Sequence, residues 1–357
     1  MLRSLLAAAT LVLAQPAAHA AELDAPAIIG KAIDGFVRPT YRDFHAATSR
    51  MTSGAKALCA APSEASLEAA RKAFGATVDA WSRAEIIRFG PVTEQNRLER
   101  ILFWPDRKST GLKQVQAAIQ SKDESASDPP HLASKSVAMQ GLGALEYVLF
   151  GTGAEALAGP EGAHRCGFGA AVAANLDNMA GEVETAWNAP DGFARTWATP
   201  GESNALYRNG NEALGALFKV FVTGVELDRD VRLGGFLGKT AAEDKPKQAL
   251  FWRSTKTADT LAGNMAGMKA LFEASGLGEP LGADERWIAS SIGFEFGNAI
   301  KAAEAASGPL ADVLADPARR SKLAYFGVVT SSLGELFGIR LADALGLSAG
   351  FSSLDGD

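Results

Sequence analysis

Apolar residues recur at steps of three and four through most of the chain, the spacing of a helix with one buried face. From Leu67 they run Leu67, Ala70, Phe74, Val78 and Trp81, with Ser63 in N-cap position and Gly90-Pro91 beyond the far end. Residues 26–58 repeat the pattern, and so do 166–188 through Val172, Leu176, Met179, Val183 and Trp187. Leu98, Ile101 and Leu102 give a shorter run before Trp104-Pro105, and the polar stretch Ser121 to Pro130 reads as a loop. Further helical blocks are predicted around 204–228, 246–275, 282–306 and 308–346. No stretch of useful length alternates as a strand would. The pattern predicts an all-α fold. Pro190, Gly192, Pro200 and Gly201 interrupt it at 188–203. That break predicts two tandem four-helix-bundle domains, 21–190 and 200–357. The tail at 350–357 is too polar for a helix and is expected to pack as an extended end.

One predicted helix carries an anomaly. Over Ala138 to Phe150, Met139, Leu142, Leu149 and Phe150 share a face, and Glu146 falls on it. A carboxylate on a buried face needs a partner or stays protonated, because desolvating an unpaired charge is costly. Gly141 and Gly143 lie within the two turns before it. Each costs about 1 kcal/mol against Ala in a helix interior, so space for a close approach is expected there.

The first twenty residues set the compartment. Arg3 precedes the apolar run LLAAATLVLA, and Ala18-His19-Ala20 is a small-x-small cleavage pattern. This reads as a secretory signal peptide, too short for a membrane span, with the mature chain starting near Ala21. An exported protein of a bacterial periplasm is expected, without a membrane span. Its formal net charge of −6 becomes −7 once Arg3 is removed. Basic residues are scattered rather than clustered, which argues against a nucleic-acid partner. Cys59 and Cys166 are the two cysteines. In an oxidising compartment an even pair is expected to bond; two separate buried thiols are the alternative.

Candidate chemistry is sparse. After the leader the histidines are His45, His131 and His164, and none falls in HExxH, HxH or Glu-x-x-His. Nucleotide-binding and serine-hydrolase motifs are absent, so no catalytic residue is assigned. What stands out is polar groups beside aromatics: Trp81, Glu85 and Arg88 on one stripe, Trp104 near Asp106, and Phe251-Trp252-Arg253-Ser254. Arg88 or Arg253 could neutralise Glu146 in the core. The same groups could line a ligand cleft between the bundles. Both can hold together.

At these residues the chain resembles the imelysin family. GLGALEYVLFG at 141–151 is similar to the segment around that family's GxHxxE motif. AWSRAEIIRFGP at 80–91, FWPD at 103–106, FWRS at 251–254 and GFSSLDGD at 350–357 extend the likeness over nearly the whole mature chain. The resemblance implies two four-helix bundles with the motif facing the groove between them. It implies a periplasmic binding or accessory protein linked to iron or haem acquisition, some relatives being classed as M75 peptidases. Gly141 and Glu146 match the motif, but its His position is Gly143. An HxxE pair places imidazole and carboxylate one turn apart, suited to a metal. Without the imidazole no metal ligand is assigned and peptidase activity is disfavoured; an M75-type metallopeptidase, or a partner-docking protein without a small ligand, is the alternative reading. The groove candidates are Gly141, Gly143, Glu146, Trp81, Arg88, Trp104, Asp106, Arg253 and Ser254. Iron or haem is a possible ligand class, and the partner is a small ligand or another envelope protein.

Overall fold

The computed structural model describes residues 23–347, and no strand occurs among them. The leader at 1–20 and the tail at 350–357 lie outside the described residues. The chain opens with α1 (Ala25–Ala32), which passes through a π-helical turn at Ile33–Val37 into α2 (Arg38–Ala60). Next comes α3 (Glu64–Ala84), started by Ser63, whose hydroxyl accepts from the Ser66 N–H at 3.2 Å. Short helices α4 (Arg97–Ile101), α5 (Thr110–Ser121) and α6 (Pro129–Ala133) lead to α7 (Leu142–Phe150) and the long α8 (Ala163–Asn188). Helices α2, α3 and α8 pack side by side. Cys59 at the end of α2 is bonded to Cys166 at the start of α8, with Cα atoms 5.5 Å apart.

The interruption at 188–203 contains a short helix, α9 (Phe193–Ala198). Its Trp197 is fully buried against Phe89 and Trp187, and Phe193 packs on those same two rings. Then follow α10 (Gly210–Glu226), a π-helical turn at Leu227–Leu233, α11 (Gly234–Phe236) and α12 (Thr257–Ser275). The chain finishes with α13 (Arg286–Glu304), α14 (Leu310–Ala315), α15 (Pro317–Glu335), a third π-helical turn at Leu336–Leu341 and α16 (Ala342–Leu345). α13 packs along both α12 and α15. Although first in sequence, α1 packs on α9, α10 and α12, while its continuation α2 lies with α3 and α8. A second crossing joins α3 to α12. Gly263 and Gly267 on α12 allow it, since a Cβ at either would meet Ser82 or the Arg83 backbone closer than 3 Å. One contiguous apolar core results. No helix among the described residues is long and apolar enough to cross a membrane.

The anomalous helix begins later than its apolar spacing predicts. Met139 belongs to a 3₁₀ turn at Val137–Met139, and α7 starts only at Leu142, with Gly141 as its N-cap. The buried amide of Gln140 fixes the turn before it. It accepts from Arg100 at 3.0 Å and Asn175 at 3.2 Å and donates to the Lys135 carbonyl at 2.7 Å. Gly141 packs on backbone: a Cβ there would come within 2.3 Å of the Ile101 carbonyl oxygen. At the other end Arg165 of α8 donates to the carbonyls of Tyr147, Val148, Gly151 and Thr152. One guanidinium thus ties together the last turn of the helix, including the Val148 carbonyl, and the two residues that follow it.

Candidate functional site

α7 is buried almost all round, and Gly143 is its exposed residue. A Cβ at Gly143 would meet nothing within 4 Å. The space it faces is a cavity of about 570 Å³. Four segments wall it: the 102–112 loop, α7, the π-helical turn at 227–233 with α11, and the 247–253 loop. Residues distant in sequence therefore meet at one site.

Glu146 lies one turn after Gly143 and is only 4% exposed. Its Oε1 accepts three hydrogen bonds, from the N–H groups of Arg253 at 3.1 Å and Ser254 at 3.0 Å and from the Ser254 hydroxyl at 2.8 Å. The Arg253 guanidinium stands 3.8 Å from Oε2. Burial pushes the Glu146 carboxyl above the usual range, while the Ser254 and Arg253 donors pull it back. The local backbone explains how two successive N–H groups converge on one oxygen. Phe251 and Thr255 take left-handed φ values of 55° and 62°, unusual for residues other than glycine. The loop between them is folded into a concave donor site for an anion, and strain of this kind collects at functional sites.

Arg253 is layered between rings, 4.5 Å from the Trp252 centroid and 5.5 Å from that of Tyr147. The Tyr147 hydroxyl accepts from Gln116 at 3.1 Å. Trp104, half-buried, lines the opposite loop. Behind it is a second polar cluster, fully enclosed. Arg232 donates to Glu85 at 2.5 Å and to Asp228 at 3.3 Å, and its guanidinium lies 6.0 Å from the Trp104 ring. Asn264 of α12 donates to Glu85 at 2.9 Å and accepts from Arg232. Two carboxylates share one arginine. Burial, then the like charge of Glu85, drives the Asp228 carboxyl up to about 8.

Of the groups read from sequence as a cleft, Gly143, Glu146, Trp104, Asp106 and Arg253 line the cavity. Ser254 stands behind it, bonded to Glu146. Gly141 is buried against α4, Trp81 is a core side chain 5.0 Å from Phe44, and Arg88 lies outside the cavity lining, near enough to Glu85 and Arg232 to interact with their charges. The structure adds Tyr147, Arg107, Lys247 and Trp252 to the lining, and Asp228, Arg232 and Asn264 behind it. The i, i+4 spacing of Asp228 and Arg232, inside the charged run 227–233, is the one local signal for the enclosed cluster.

Among the described residues no histidine lines the cavity. His45 bonds Glu184 at 2.6 Å, His131 bonds Asp128 at 2.5 Å, and His164 contacts the Ala118 carbonyl at 3.3 Å. Among the described residues no group of three or more His, Cys, Asp or Glu side chains is arranged to hold a metal ion.

A family model described as Imelysin matches residues 37–332. Two solved structures share the fold. One is an imelysin-like protein from Psychrobacter arcticum 273-4, with a TM-score of 0.76 and 18% identity, covering 92% of this chain and 97% of that one. The other is a candidate iron-regulated protein A precursor from Parabacteroides distasonis ATCC 8503, with a TM-score of 0.75 and 15% identity over the same shares. No curated protein matches the sequence.

Proposed function

This chain belongs to the imelysin family, and from that premise we propose that it is a binding or accessory protein of the bacterial periplasm, handling a small ligand linked to iron or haem acquisition. The two halves act as a pair of helical bundles, and the ligand lies where the four cavity segments meet. One observation carries this reading. The cavity of about 570 Å³ is of the size that takes small organic molecules, and its floor is a buried carboxylate held by a loop from the far half of the chain. The iron link is supported by the fold shared with the protein described as iron-regulated. Export is supported by the Arg3-to-Ala20 leader pattern and by the Cys59–Cys166 bond, which suits an oxidising compartment.

The donor set does not fit a catalytic zinc. Such a site needs about three protein ligands and an open position. Here the cavity offers Glu146 without an imidazole beside it, and Oε1 of that carboxylate is already committed to Arg253 and Ser254. Native mass spectrometry of untagged protein from its export compartment tests the binding reading. A retained small molecule, or uptake of added haemin or a ferric chelate at one per chain, is expected. Protein that neither retains nor takes up any of these would reject it.

A further inference from the structure

We infer that the cavity takes a planar aromatic anion, with its rings among Trp104, Tyr147 and Trp252 and its acid group turned outward to Arg107 and Lys247. This rests on the binding reading above and adds the chemistry of the ligand.

The hydrogen bonds of the wall point to that charge. Three carboxylates line the cavity: Asp106, Glu146 and Asp230. Asp106 gives both oxygens to the start of α5, accepting from the N–H groups of Thr110 at 2.6 Å and Leu112 at 3.2 Å. Asp230 gives both to Arg229, at 2.7 and 2.6 Å. Glu146 Oε1 holds three bonds, which leaves Oε2 as the free carboxylate oxygen. On the cationic side Arg253 is matched by Glu146. Arg107 and Lys247 are different. Both line the exposed mouth, and neither has an ion pair or hydrogen bond among the described residues. The contact Lys247 makes is with the Trp252 ring, its ammonium 6.0 Å from the centroid.

The free donors are therefore at the rim and the free acceptor is on the floor. An acid group entering first would meet Glu146 Oε2; one trailing outward meets two unmatched cations, which bind anions by charge-assisted hydrogen bonds. Trp104, Tyr147 and Trp252 line the same space, and indole and phenol rings favour a flat apolar body.

A matched pair of dyes separates charge from shape. 8-Anilinonaphthalene-1-sulfonate and N-phenyl-1-naphthylamine share one ring skeleton, and the first alone carries the sulfonate. Fluorescence titration of the full chain should show one sulfonate dye per chain, bound about tenfold or more tighter than the neutral dye. Replacing both rim cations, Arg107→Gln with Lys247→Gln, should bring the sulfonate dye to the level of the neutral one. Gly143→Leu fills the open space above Glu146 and should weaken both. If the neutral dye binds as tightly, or the double variant binds the sulfonate unchanged, the anion inference falls and the binding reading stands. If neither dye binds, or Gly143→Leu leaves both unaffected, the aromatic-anion inference falls, and uptake of haemin or a ferric chelate decides the binding reading separately.

Discussion

Ser254 gives Glu146 two hydrogen bonds across 108 residues of sequence, from its backbone N–H and from its hydroxyl, and both end on Oε1. The carboxylate of α7 thus fixes the conformation of the loop that forms the opposite wall of the cavity.

Glu146→Ala removes the acceptor for two N–H groups, a hydroxyl and a guanidinium. The expected cost is about 1–3 kcal/mol, with the 251–255 loop loosened. Glu146→Gln keeps an acceptor oxygen and should cost less. Ser254→Ala removes one of the three bonds, and about 1 kcal/mol is expected. Chemical denaturation of the three variants gives the order. Ser254→Ala costing as much as Glu146→Ala would show that the loop does not depend on the carboxylate.

Much of this fold is legible locally, and the site much less so. Helix α3 declares itself through Ser63 and five apolar positions in step, because caps and periodicity are short-range. The late start of α7 is not legible. It is set by Gln140 meeting Arg100 and Asn175, which are 40 and 35 residues away in sequence. The apolar spacing runs straight through the turn. Glu146 stands out as a buried carboxylate on pattern alone, and Arg88 is the nearer arginine in sequence. The partner is Arg253, because left-handed residues at Phe251 and Thr255 fold a distant loop toward it. Neither residue type announces such a φ. The three π-helical turns escape for another reason: each keeps an apolar rhythm close to that of the helix it extends.

The enclosed cluster gives a pH dependence. Asp228 is driven up to about 8 by burial and by the neighbouring Glu85, while Arg232 opposes that rise. In the unfolded chain its carboxyl titrates near 4. Between those values the folded state holds a proton that the unfolded state has lost. Stability therefore falls as pH rises through this window and levels off above it. Asp228→Asn should flatten the fall, since the amide oxygen still accepts from Arg232. Denaturation midpoints of both proteins from pH 5 to 9 check this. Parallel curves would assign the proton elsewhere.

The disulfide closes a loop of 107 residues. Chain-entropy reasoning predicts that opening it costs about 4–5 kcal/mol, with about 2–4 kcal/mol more usual in practice. Cys59→Ser together with Cys166→Ser should lower the denaturation midpoint accordingly, and wild type under reducing conditions should match the double variant. Thiol labelling of denatured, unreduced protein should find no free thiol. Two labelled cysteines would overturn the bond in the exported protein.

Gly143 offers the last test. If Gly141–Glu146 matches the GxHxxE motif as expected, Gly143 stands where that motif has its histidine, and among the described residues no histidine lines the cavity. A carboxylate alone is a weak and unselective ligand for a transition metal. Wild type is therefore expected to bind Zn²⁺ no better than Glu146→Gln. Gly143→His should change that, because the Cβ position is open and faces the cavity. The new imidazole would stand one turn from Glu146 Oε2, the carboxylate oxygen with no hydrogen bond. The variant should show saturable Zn²⁺ binding by calorimetry, lost again when Glu146→Gln is added, and weakened as pH falls and the imidazole takes up a proton. The helix should tolerate the change with a small gain, since it replaces a glycine in a helical turn. Tight Zn²⁺ binding by wild type that disappears in Glu146→Gln would instead reveal a metal site completed by groups other than histidine.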